Sequence, residues 1–250
     1  MQEALTMILD IAEQMLKSGA EVYRVEESVS RMSKALGAER VDVFIITTSI
    51  VVSLHDSDGN SFTQTRRLNS TGTDFELTHR LNKLSRKICE QHLTMDEIRS
   101  EFQWAMSRKT YPLWLEYAAY SFIAAAFTVF FGGGWPETLV SLFIGFAVRV
   151  IIQFSSRAVP NKILSRFLSS FIATVLAYLS MHFGLIRHID SVIIGNIMTL
   201  IPGVGLTNAF RDLFTGDSMT GILRTVEAVL MALAIAAGYI IVAAFGGAVL

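Results

Sequence analysis

The sequence predicts a mainly α-helical polytopic membrane protein with five spans, the fourth broken at Pro202-Gly203, after an N-terminal soluble α+β domain. Three observations carry this prediction. Hydrophobic residues make up 52% of the chain and charged residues 17%, against about a quarter charged in an ordinary soluble domain. Most charges lie in the first 110 residues, and polar residues interrupt one late apolar run at LIPGVGLTNAFRDLFTGD (Leu200–Asp217). The predicted domains are therefore 1–110 and 111–250.

Net charge and cysteine content exclude several classes of protein. A net charge of −1 provides no basic surface for a nucleic-acid partner. The single cysteine, Cys89, can form neither an internal disulfide nor a CxxC metal or redox site, and we interpret it as a structural thiol. The N-terminal segment MQEALTMILDIAEQML is amphipathic and acidic, unlike a basic and continuously apolar signal peptide.

The first 110 residues carry the periodicities of a small α+β domain. Apolar residues three and four apart predict two helices, the second ended by Gly37. The β-branched run VDVFIITTSIVVSL predicts one strand or two short ones, and SFTQTRRL predicts a partner strand after the turn Asp56–Asn60. Two further helices are expected at about Asp74–His92 and Met95–Met106. The predicted order is α-α-β-β-α-α.

This domain carries no enzyme signature. The sequence has no GxSxG elbow, HExxH pair, Walker lysine loop or GxGxxG, so we expect neither hydrolase activity nor a cofactor. His55, Asp56 and Asp58 are residue types that bind metals, but a solvated hairpin turn is the favoured interpretation and no metal is expected. Glu27 and Arg31 are four residues apart, a spacing that supports a helix.

Five segments of the second half are candidate membrane spans. A spanning helix needs about 20 apolar residues, and the fourth segment has only half of that length before Pro202. The five segments are about Leu113–Phe131, Glu137–Phe154, Phe167–Leu185, Ser191–Ile201 and Thr220–Phe245.

The distribution of basic residues predicts the orientation. Lysine and arginine precede the first span and lie between spans two and three and between spans four and five. The opposite loops hold GGGWPE, with no basic residue, and LIRHID, with one arginine. Because positive loops stay cytoplasmic, we expect a multi-pass protein of the plasma (inner) membrane with its N-terminus cytoplasmic and its C-terminus outside. An odd span count lets a second copy insert upside down, as in many secondary transporters.

The broken fourth span is the main candidate binding site. Pro202 lacks an N–H and clashes with the turn before it, and Gly203 and Gly205 permit non-helical backbone. Such backbone is tolerated at membrane depth only inside protein or beside water. The N-terminus of the next helix also presents free N–H groups and a positive dipole end to anions. A re-entrant loop with a purely structural role is the alternative.

Polar residues inside the spans add further candidates. Arg149 lies in the second span, Asn196 in the fourth and Glu227 in the fifth. Ionisable groups there are costly and mark pathways or ion pairs. For Arg149 the alternative is a side chain that extends to the cytoplasmic surface, and for Glu227 it is a structural pair with Arg224 or Arg211. Asn196 has helix packing as its alternative role.

Two stretches, GAEVYRVEESVSRMSKALG (Gly19–Gly37) and IPGVGLTNAFRDLFTGDSMTGILRTVEA (Ile201–Ala228), stand out as motifs beside the five-span layout. Together they resemble the threonine/serine exporter family, and specifically its shorter split members. The resemblance covers nearly the whole chain. Its most specific part is the pattern formed by Pro202, Gly203, Asn208, Arg211, Asp212, Gly216, Asp217 and Gly221.

The resemblance implies a partner and a cargo. Longer family members carry a second five-span half, whereas split members pair with a separate small multi-span membrane subunit. This chain therefore looks like the larger subunit of a hetero-oligomeric, two-component exporter. The implied cargo is a small polar carboxylate-containing metabolite, either threonine and serine or a dicarboxylate such as succinate. The implied driving force is the proton gradient.

For such an exporter we assign residue roles as hypotheses. The substrate carboxylate is expected near the N–H groups of Pro202–Leu206, with asparagines as donors and an arginine as positive charge. A carboxylate in a low-dielectric site can carry the coupling proton, although RDLFTGD has a structural hinge as its alternative role. The expected substrate-binding residues are Pro202, Gly203, Gly205, Asn196, Asn208, Arg211 and Arg149, and the expected proton-coupling or gating residues are Asp212, Asp217 and Glu227.

Two other functions compete with export. The first is a non-transporting membrane sensor or scaffold with a ligand-binding cytoplasmic domain, although five spans with an interrupted helix exceed the needs of an anchor. The second is a membrane-tethered hydrolase, for which the sequence offers no convincing nucleophile and base. Co-purification with a small multi-span partner favours the exporter over both.

Overall fold

The computed structural model describes residues 1–68, 72–91, 93–108, 110–158 and 161–249, and within them all side chains except those of 156–158 and 246–249. These residues form ten helices and three strands, and the protein is mostly helical, at 72%. In chain order the elements are α1 Gln2–Lys17, α2 Val22–Ala35, β1 Arg40–Ile46, β2 Ser49–His55, β3 Ser61–Arg67, α3 Phe75–Gln91, α4 Met95–Met106, α5 Leu113–Phe130, α6 Trp135–Ala158, α7 Lys162–His182, α8 Ile189–Met198, α9 Gly203–Phe214 and α10 Ser218–Val249.

Contacts divide the chain into two units. The first unit comprises Met1–Lys109 and Thr207–Thr225, and the second comprises Thr110–Leu206 and Val226–Leu250. The segment Thr207–Thr225, which contains most of α9 and the start of α10, therefore shares its contacts with the N-terminal elements. His92, the predicted end of one helix, lies outside the described residues.

The three strands of the first unit form an antiparallel sheet in the order β1-β2-β3. Ile50, Val52 and Leu54 on β2 are buried, and because alternate strand residues share a face, this face packs against the helices. The β-branched run forms two strands joined at Thr47-Thr48. The order of elements is thus α-α-β-β-β-α-α, in which the β-branched run forms the two short strands that the sequence left open.

The core of the first unit is built from aliphatic side chains at helical spacing. Leu5, Ile8 and Met15 on α1 are fully buried and pack with Val25 on α2 and Leu81 on α3. Each buried side chain of this size contributes about 1.5–3 kcal/mol. The N-terminus of α4 is fixed by a capping box between Thr94 and Glu97.

The second unit contains the helices that could span a membrane. Four are long and apolar enough, namely Leu113–Phe130, Trp135–Ser155, Lys162–His182 and Ser218–Phe245. The last of these begins in the first unit. A fifth candidate is the pair α8 and α9, which is bent by 53° at its break. The described residues therefore contain four to five candidate spans.

Small residues allow the helices of the second unit to pack closely. A Cβ on Gly145 of α6 would lie 2.8 Å from the carbonyl oxygen of Tyr120 on α5. A Cβ on Gly238 of α10 would lie 2.6 Å from the carbonyl oxygen of Phe167 on α7. Large apolar side chains such as Phe143 are instead exposed. Small residues at helix contacts with apolar residues outside are typical of membrane helices.

Candidate functional site

The fourth span is interrupted between α8 and α9. The first helix ends at Met198 and the second begins at Gly203, directly after Pro202. The N–H of Leu206 donates to the Pro202 carbonyl at 2.9 Å, so Pro202 stands immediately before the first helical turn. Proline suits the start of a helix because no N–H is needed there. The break thus falls where the sequence predicts it.

Gly203 and Gly205 do not supply the non-helical backbone that was predicted for them. Both lie in the first turn of α9, and neither has a positive φ. A Cβ at either position would meet no atom closer than 3.9 Å. This part of the prediction is wrong because Pro202 begins the new helix and the glycines adopt ordinary helical geometry.

Asp212 is the fully buried acid of α9. Its Oδ2 accepts a hydrogen bond from Nη1 of Arg224 on α10 at 2.7 Å, and the Arg224 side chain is only 14% exposed. The other oxygen, Oδ1, has no hydrogen-bond partner among the described atoms. Because a buried polar atom normally has a partner, this oxygen is available to a proton or to a donor from outside the chain.

Arg211, the neighbour of Asp212, contacts a different carboxylate. Its Nη1 donates to Oε1 of Glu21, the residue before the first turn of α2. The Glu21 side chain is 10% exposed and that of Arg211 is 52% exposed. Arg24 lies 3.1 Å from the second Glu21 oxygen, close enough for an ion pair but not aligned as a hydrogen bond. The pair therefore joins a buried acid to a guanidinium that solvent reaches.

The surroundings of Glu21 keep it charged. Burial raises its pKa, but hydrogen bonds from the side chains of Arg211 and Tyr23 and the positive charges of Arg211 and Arg24 outweigh burial. The net result is a pKa below the ordinary value of 4.5. Glu21 is therefore a carboxylate at neutral pH.

Glu26, on the next turn of α2, has the opposite tendency. Burial raises its pKa, the N–H of Ile45 partly offsets this, and the negative charge of Asp217 raises the pKa further. The N–H of Ile45 lies 3.2 Å from the Glu26 carboxylate. The pKa of Glu26 therefore lies above its ordinary value of 4.5.

Asp217 precedes the first residue of α10. Its Oδ1 accepts a hydrogen bond from the N–H of Thr220 at 3.3 Å, the usual interaction of an acidic residue at a helix start. Its Oδ2 is buried and has no hydrogen-bond partner in the described part of the chain. Asp217 thus has one structural oxygen and one unused oxygen.

Two glycines of the motif shape the turn between α9 and α10. Gly216 has a φ of +94°, the left-handed conformation that commonly ends a helix. A Cβ on Gly221 would lie 2.8 Å from the backbone nitrogen of Leu213. Only glycine therefore lets the two helices approach this closely.

Five of these charged residues form one group, which we call the acid–arginine cluster. All five belong to the first unit, and both Asp217 and Glu21 interact electrostatically with Asp212. Asn208 lies three residues before the cluster on α9 and is partly buried. The cluster unites the two stretches that the sequence singles out, and its members are Glu21, Arg211, Asp212, Asp217 and Arg224.

Asn196 is the buried polar residue of α8. Its side chain is 1% exposed, and Nδ2 donates to the carbonyl of Val192 on the same helix at 2.9 Å. Its Oδ1 has no hydrogen-bond partner among the described residues. The second unit therefore contains one unused acceptor at this position.

Arg149 is held in an ion pair within the second unit. It bonds Glu116 on α5, with Nε at 3.1 Å from the carboxylate. Its guanidinium lies 5.7 Å from the ring of Tyr117 and 5.8 Å from that of Tyr120, distances typical of cation–π contacts. Its charge is therefore neutralised by the protein itself.

Glu227 is also paired, but not with the residues expected. Its carboxylate lies 3.5 Å from Nζ of Lys162 at the start of α7. Glu227 is thus in an ion pair, as its alternative structural role requires, but the partner is not Arg224 or Arg211, because these arginines bind Asp212 and Glu21.

Glu137 is a buried residue for which the sequence suggested no role. Its side chain accepts hydrogen bonds from the N–H groups of Gly134 at 3.0 Å, Arg187 at 2.9 Å and His188 at 3.2 Å. It thereby ties the α5–α6 loop to the α7–α8 loop. Nothing local predicts this contact, because two of the partners are about 50 residues away.

Asp56 organises the hairpin after β2 through its side chain. Asp56 accepts hydrogen bonds from the N–H groups of Asp58 at 3.1 Å and Asn60 at 2.8 Å, as in a solvated turn. His55 lies 3.3 Å from Asp42. Among the residues that the structure describes, no three His, Cys, Asp or Glu side chains are placed to hold a metal ion.

Comparison with known proteins agrees with the resemblance seen in the sequence. The family model described as "Putative threonine/serine exporter" matches residues 6–246. The chain is 26% identical over 242 residues to the "Probable succinate transporter subunit YjjP" of Klebsiella aerogenes, covering 96% of this chain and 93% of the relative. It is also 26% identical over 228 residues to the protein of the same name in Escherichia coli K12, covering 90% and 88%.

A longer relative matches over about half of its length. The chain is 23% identical over 244 residues to the "Probable threonine/serine exporter" of Mycobacterium tuberculosis, covering 96% of this chain and 46% of the relative. These relatives are named as transporters or exporters and not as enzymes. No solved structure matches the chain.

Proposed function

Because the chain belongs to the threonine/serine exporter family, we propose that it is the larger subunit of a two-component secondary exporter. Its cargo is a small polar metabolite with a carboxylate, either threonine and serine or a dicarboxylate such as succinate. The proton gradient drives export. The observation that carries this proposal is the fully buried Asp212, which keeps one oxygen unused in the helix after the broken span.

The lengths of the relatives support a two-component assembly. Two relatives named as transporter subunits match this chain over most of their length, whereas the longer exporter contains the matching part in about half of its chain. The counterpart of the other half of the longer relative is a small multi-span membrane subunit, inserted with inverted topology. The working exporter is therefore a hetero-oligomer of the two subunits.

We assign the arrangement in the membrane from the charge distribution. Residues 1–110 form a cytoplasmic domain, and residues 111–250 cross the inner membrane five times, with α8 and α9 as one broken span. The N-terminus is cytoplasmic and the C-terminus is outside. The concentration of lysine and arginine in loops on one side supports this orientation.

We assign the coupling proton to the two aspartates of the acid–arginine cluster. Asp212 and Asp217 each have a buried carboxylate oxygen without a partner among the described atoms, where a proton can bind without breaking an existing hydrogen bond. Glu227 is the weaker candidate because Lys162 already neutralises it. A carboxylate that alternates between charged and neutral forms changes its attraction for Arg224 and so links proton binding to the α9–α10 turn.

The substrate carboxylate is assigned to Arg211, which solvent reaches, with Asn208 on the same helix as a neutral donor. Arg149 is less suited because Glu116 already occupies it. The N–H groups at the start of α9, after Pro202, attract the carboxylate through the positive end of the helix. Asn196, in the second unit, is a separate candidate, because its unused acceptor suits a hydroxyl or ammonium group.

Reconstituted transport tests this function. The chain is purified with and without its small membrane subunit and placed in proteoliposomes loaded with labelled threonine, serine or succinate. We expect loss of one label that needs both subunits and an imposed proton gradient. No loss of any label from a well-inserted complex would contradict the proposal, and loss without a gradient would contradict proton coupling alone.

One observation favours a second function, ligand sensing by the N-terminal elements. A cleft of about 340 Å³ lies between α3 and α4, and the guanidinium of Arg80 lies 4.6 Å from the ring of Trp104 beside it. Its lining is suited to a small anion and consists of Lys83, Lys87, Ser100, Glu101 and Trp104. Titration of the full complex with inorganic phosphate should quench Trp104 fluorescence, and a Lys83→Gln variant should quench less. An unchanged emission would remove this function.

A further inference from the structure

Arg211 already has a carboxylate partner, and this partner comes from the opposite end of the sequence. Glu21 lies 190 residues before Arg211 and bonds it through Oε1. It stands at the N-cap position of α2, where an acidic side chain usually accepts the N–H groups of its own helix. The Glu21 side chain makes no such cap. Its carboxylate is directed to Arg211 instead.

The turn before Glu21 fixes its position. Gly19 has a φ of +93°, and a Cβ there would lie 2.7 Å from the carbonyl oxygen of Gly72. The N–H of Ala20 donates to the carbonyl of Met15 at 3.0 Å. A residue other than glycine would strain this turn and move Glu21, so the Gly-Ala-Glu sequence is explained by the placement of one carboxylate.

We propose that Glu21 is a built-in competitor of the substrate carboxylate: it occupies Arg211 in the unloaded exporter, and the substrate displaces it. The inference rests on the proposed function, because it requires Arg211 to be the residue that binds the carboxylate. Glu21 acts through Arg211 and is thus a positioning residue that sets apparent affinity.

The exchange leaves no charge unpaired. A substrate carboxylate replaces a protein carboxylate on the same guanidinium, so the charge balance around Arg211 is unchanged. The released Glu21 keeps a cation at hand, because Arg24 lies 3.1 Å from its second oxygen. Asp212 stays bonded to Arg224 throughout. Since breaking a buried pair without replacement is expensive, this second cation makes the displacement feasible.

The competition has a measurable consequence for affinity. A binding site that is free only part of the time shows an apparent dissociation constant equal to the intrinsic constant divided by the free fraction. If Arg211 is free about a tenth of the time, removal of the competitor lowers KM roughly tenfold. A merely structural Glu21 predicts the opposite, because its loss would lower the maximum rate or raise KM.

The test compares two variants of α2 in the reconstituted two-subunit complex. Glu21→Gln removes the competing charge, and Glu27→Gln is the matched control because Glu27 is exposed and paired with Arg31 at 2.8 Å. With labelled succinate and threonine, we expect Glu21→Gln to lower KM roughly tenfold with an unchanged maximum rate. Glu27→Gln should leave both unchanged. Glu21→Asp keeps the competing carboxylate, so its KM should stay close to that of the wild type.

A second readout separates this inference from the proposed function. The concentration of succinate needed to raise the thermal unfolding midpoint of the purified complex by a fixed increment above its ligand-free value should also fall roughly tenfold in Glu21→Gln. A fall in this concentration without transport of any label would support the competition and contradict transport. Active transport with the same KM and the same required concentration in a folded Glu21→Gln complex would overturn the competition. A raised KM would likewise overturn it.

Discussion

The two units treat their buried polar groups differently. In the second unit, buried hydroxyls have hydrogen-bond partners, either on their own helix, as Thr128 has in the carbonyl of Ala124 at 2.9 Å, or on a neighbouring helix, as Ser170 has in the carbonyl of Ile235 at 2.7 Å. In the acid–arginine cluster of the first unit, Asp212 and Asp217 each retain a buried oxygen without a partner among the described atoms. Satisfied polar groups serve helix packing, whereas an unsatisfied buried acid marks a site for a proton or a ligand.

Two residues of the second unit depart from this pattern. Oδ1 of Asn196 and Nη1 of Arg166 are buried and have no hydrogen-bond partner among the described residues, although the amide nitrogen of Asn196 donates to the carbonyl of Val192. The comparison therefore predicts that most polar residues of the second unit are replaceable and that Asn196 and Arg166 are not. The following variants test the comparison, from the largest expected effect to the smallest.

The largest effect is expected from Asp212. Asp212→Asn leaves Arg224 without its buried counter-ion, which should destabilise the complex by about 3–5 kcal/mol and abolish proton-driven transport. The double variant Asp212→Asn with Arg224→Gln should recover most of the stability, because both charges are gone, but no transport. Thermal unfolding and efflux are measured together. Recovered transport in the double variant would assign the pair a purely structural role.

Helix packing in the second unit should show the next effect. A Cβ on Gly195 of α8 would lie 2.7 Å from the backbone nitrogen of Thr128 on α5, so Gly195→Ala should cost about 1–3 kcal/mol through overpacking. Gly203→Ala is the control, because no atom lies within 4 Å of its Cβ position, and it should stabilise α9 by up to about 1 kcal/mol. Unfolding midpoints in detergent are compared, and equal midpoints would contradict the close approach of α5 and α8.

The pair between Glu21 and Arg211 should give a smaller, pH-dependent effect. The Glu21 carboxylate interacts with Arg211, Arg24 and Tyr23, and also with the buried Asp212. In the folded state the pKa of Glu21 is lowered from 4.5. The stabilisation is therefore fully present above about pH 4.5 and is lost as pH falls through the lower folded pKa. Wild type should exceed Glu21→Gln by roughly 1 kcal/mol at pH 7, and the difference should shrink below pH 4.5. A difference that vanishes already between pH 7 and 5 would exclude this pair as its source.

The smallest effect is expected from Glu227. Its pair with Lys162 is about half exposed on both sides, at 45% and 50%, and such pairs contribute about 0–1 kcal/mol. Glu227→Gln should change stability by less than about 0.5 kcal/mol and leave the pH profile of efflux intact. A flattened pH profile would move proton coupling from the first unit to the second and break the comparison.

Much of the fold was predictable because its signals are local. Helix ends at Gly37 and at Pro202 follow from residue type, and the strands follow from β-branched runs bounded by turns. The split at Thr47-Thr48 was left open because two β-branched residues look like a continuing strand. The roles of Gly203 and Gly205 were misjudged because glycine permits non-helical backbone without requiring it.

The candidate site was predictable only in part. Arg211, Asp212 and Asp217 stand out because they interrupt an apolar run. Glu21 could be read only as one more charge on the polar side of a helix, since its partner is 190 residues away. The same holds for the pairing of Glu227 with Lys162 across 65 residues. Partners of this kind depend on tertiary packing, which no local pattern encodes.

Glu137 has a mechanical consequence. It collects three N–H groups from two loops at one end of the second unit, and separating these loops would leave a buried carboxylate without its donors. α6 and α8 both begin at this end, and α8 ends at Met198 next to the break at Pro202. If these hydrogen bonds are kept while α8 moves, the N-terminal end of α8 stays in place beside Glu137 and the largest displacement is at its other end, next to the break.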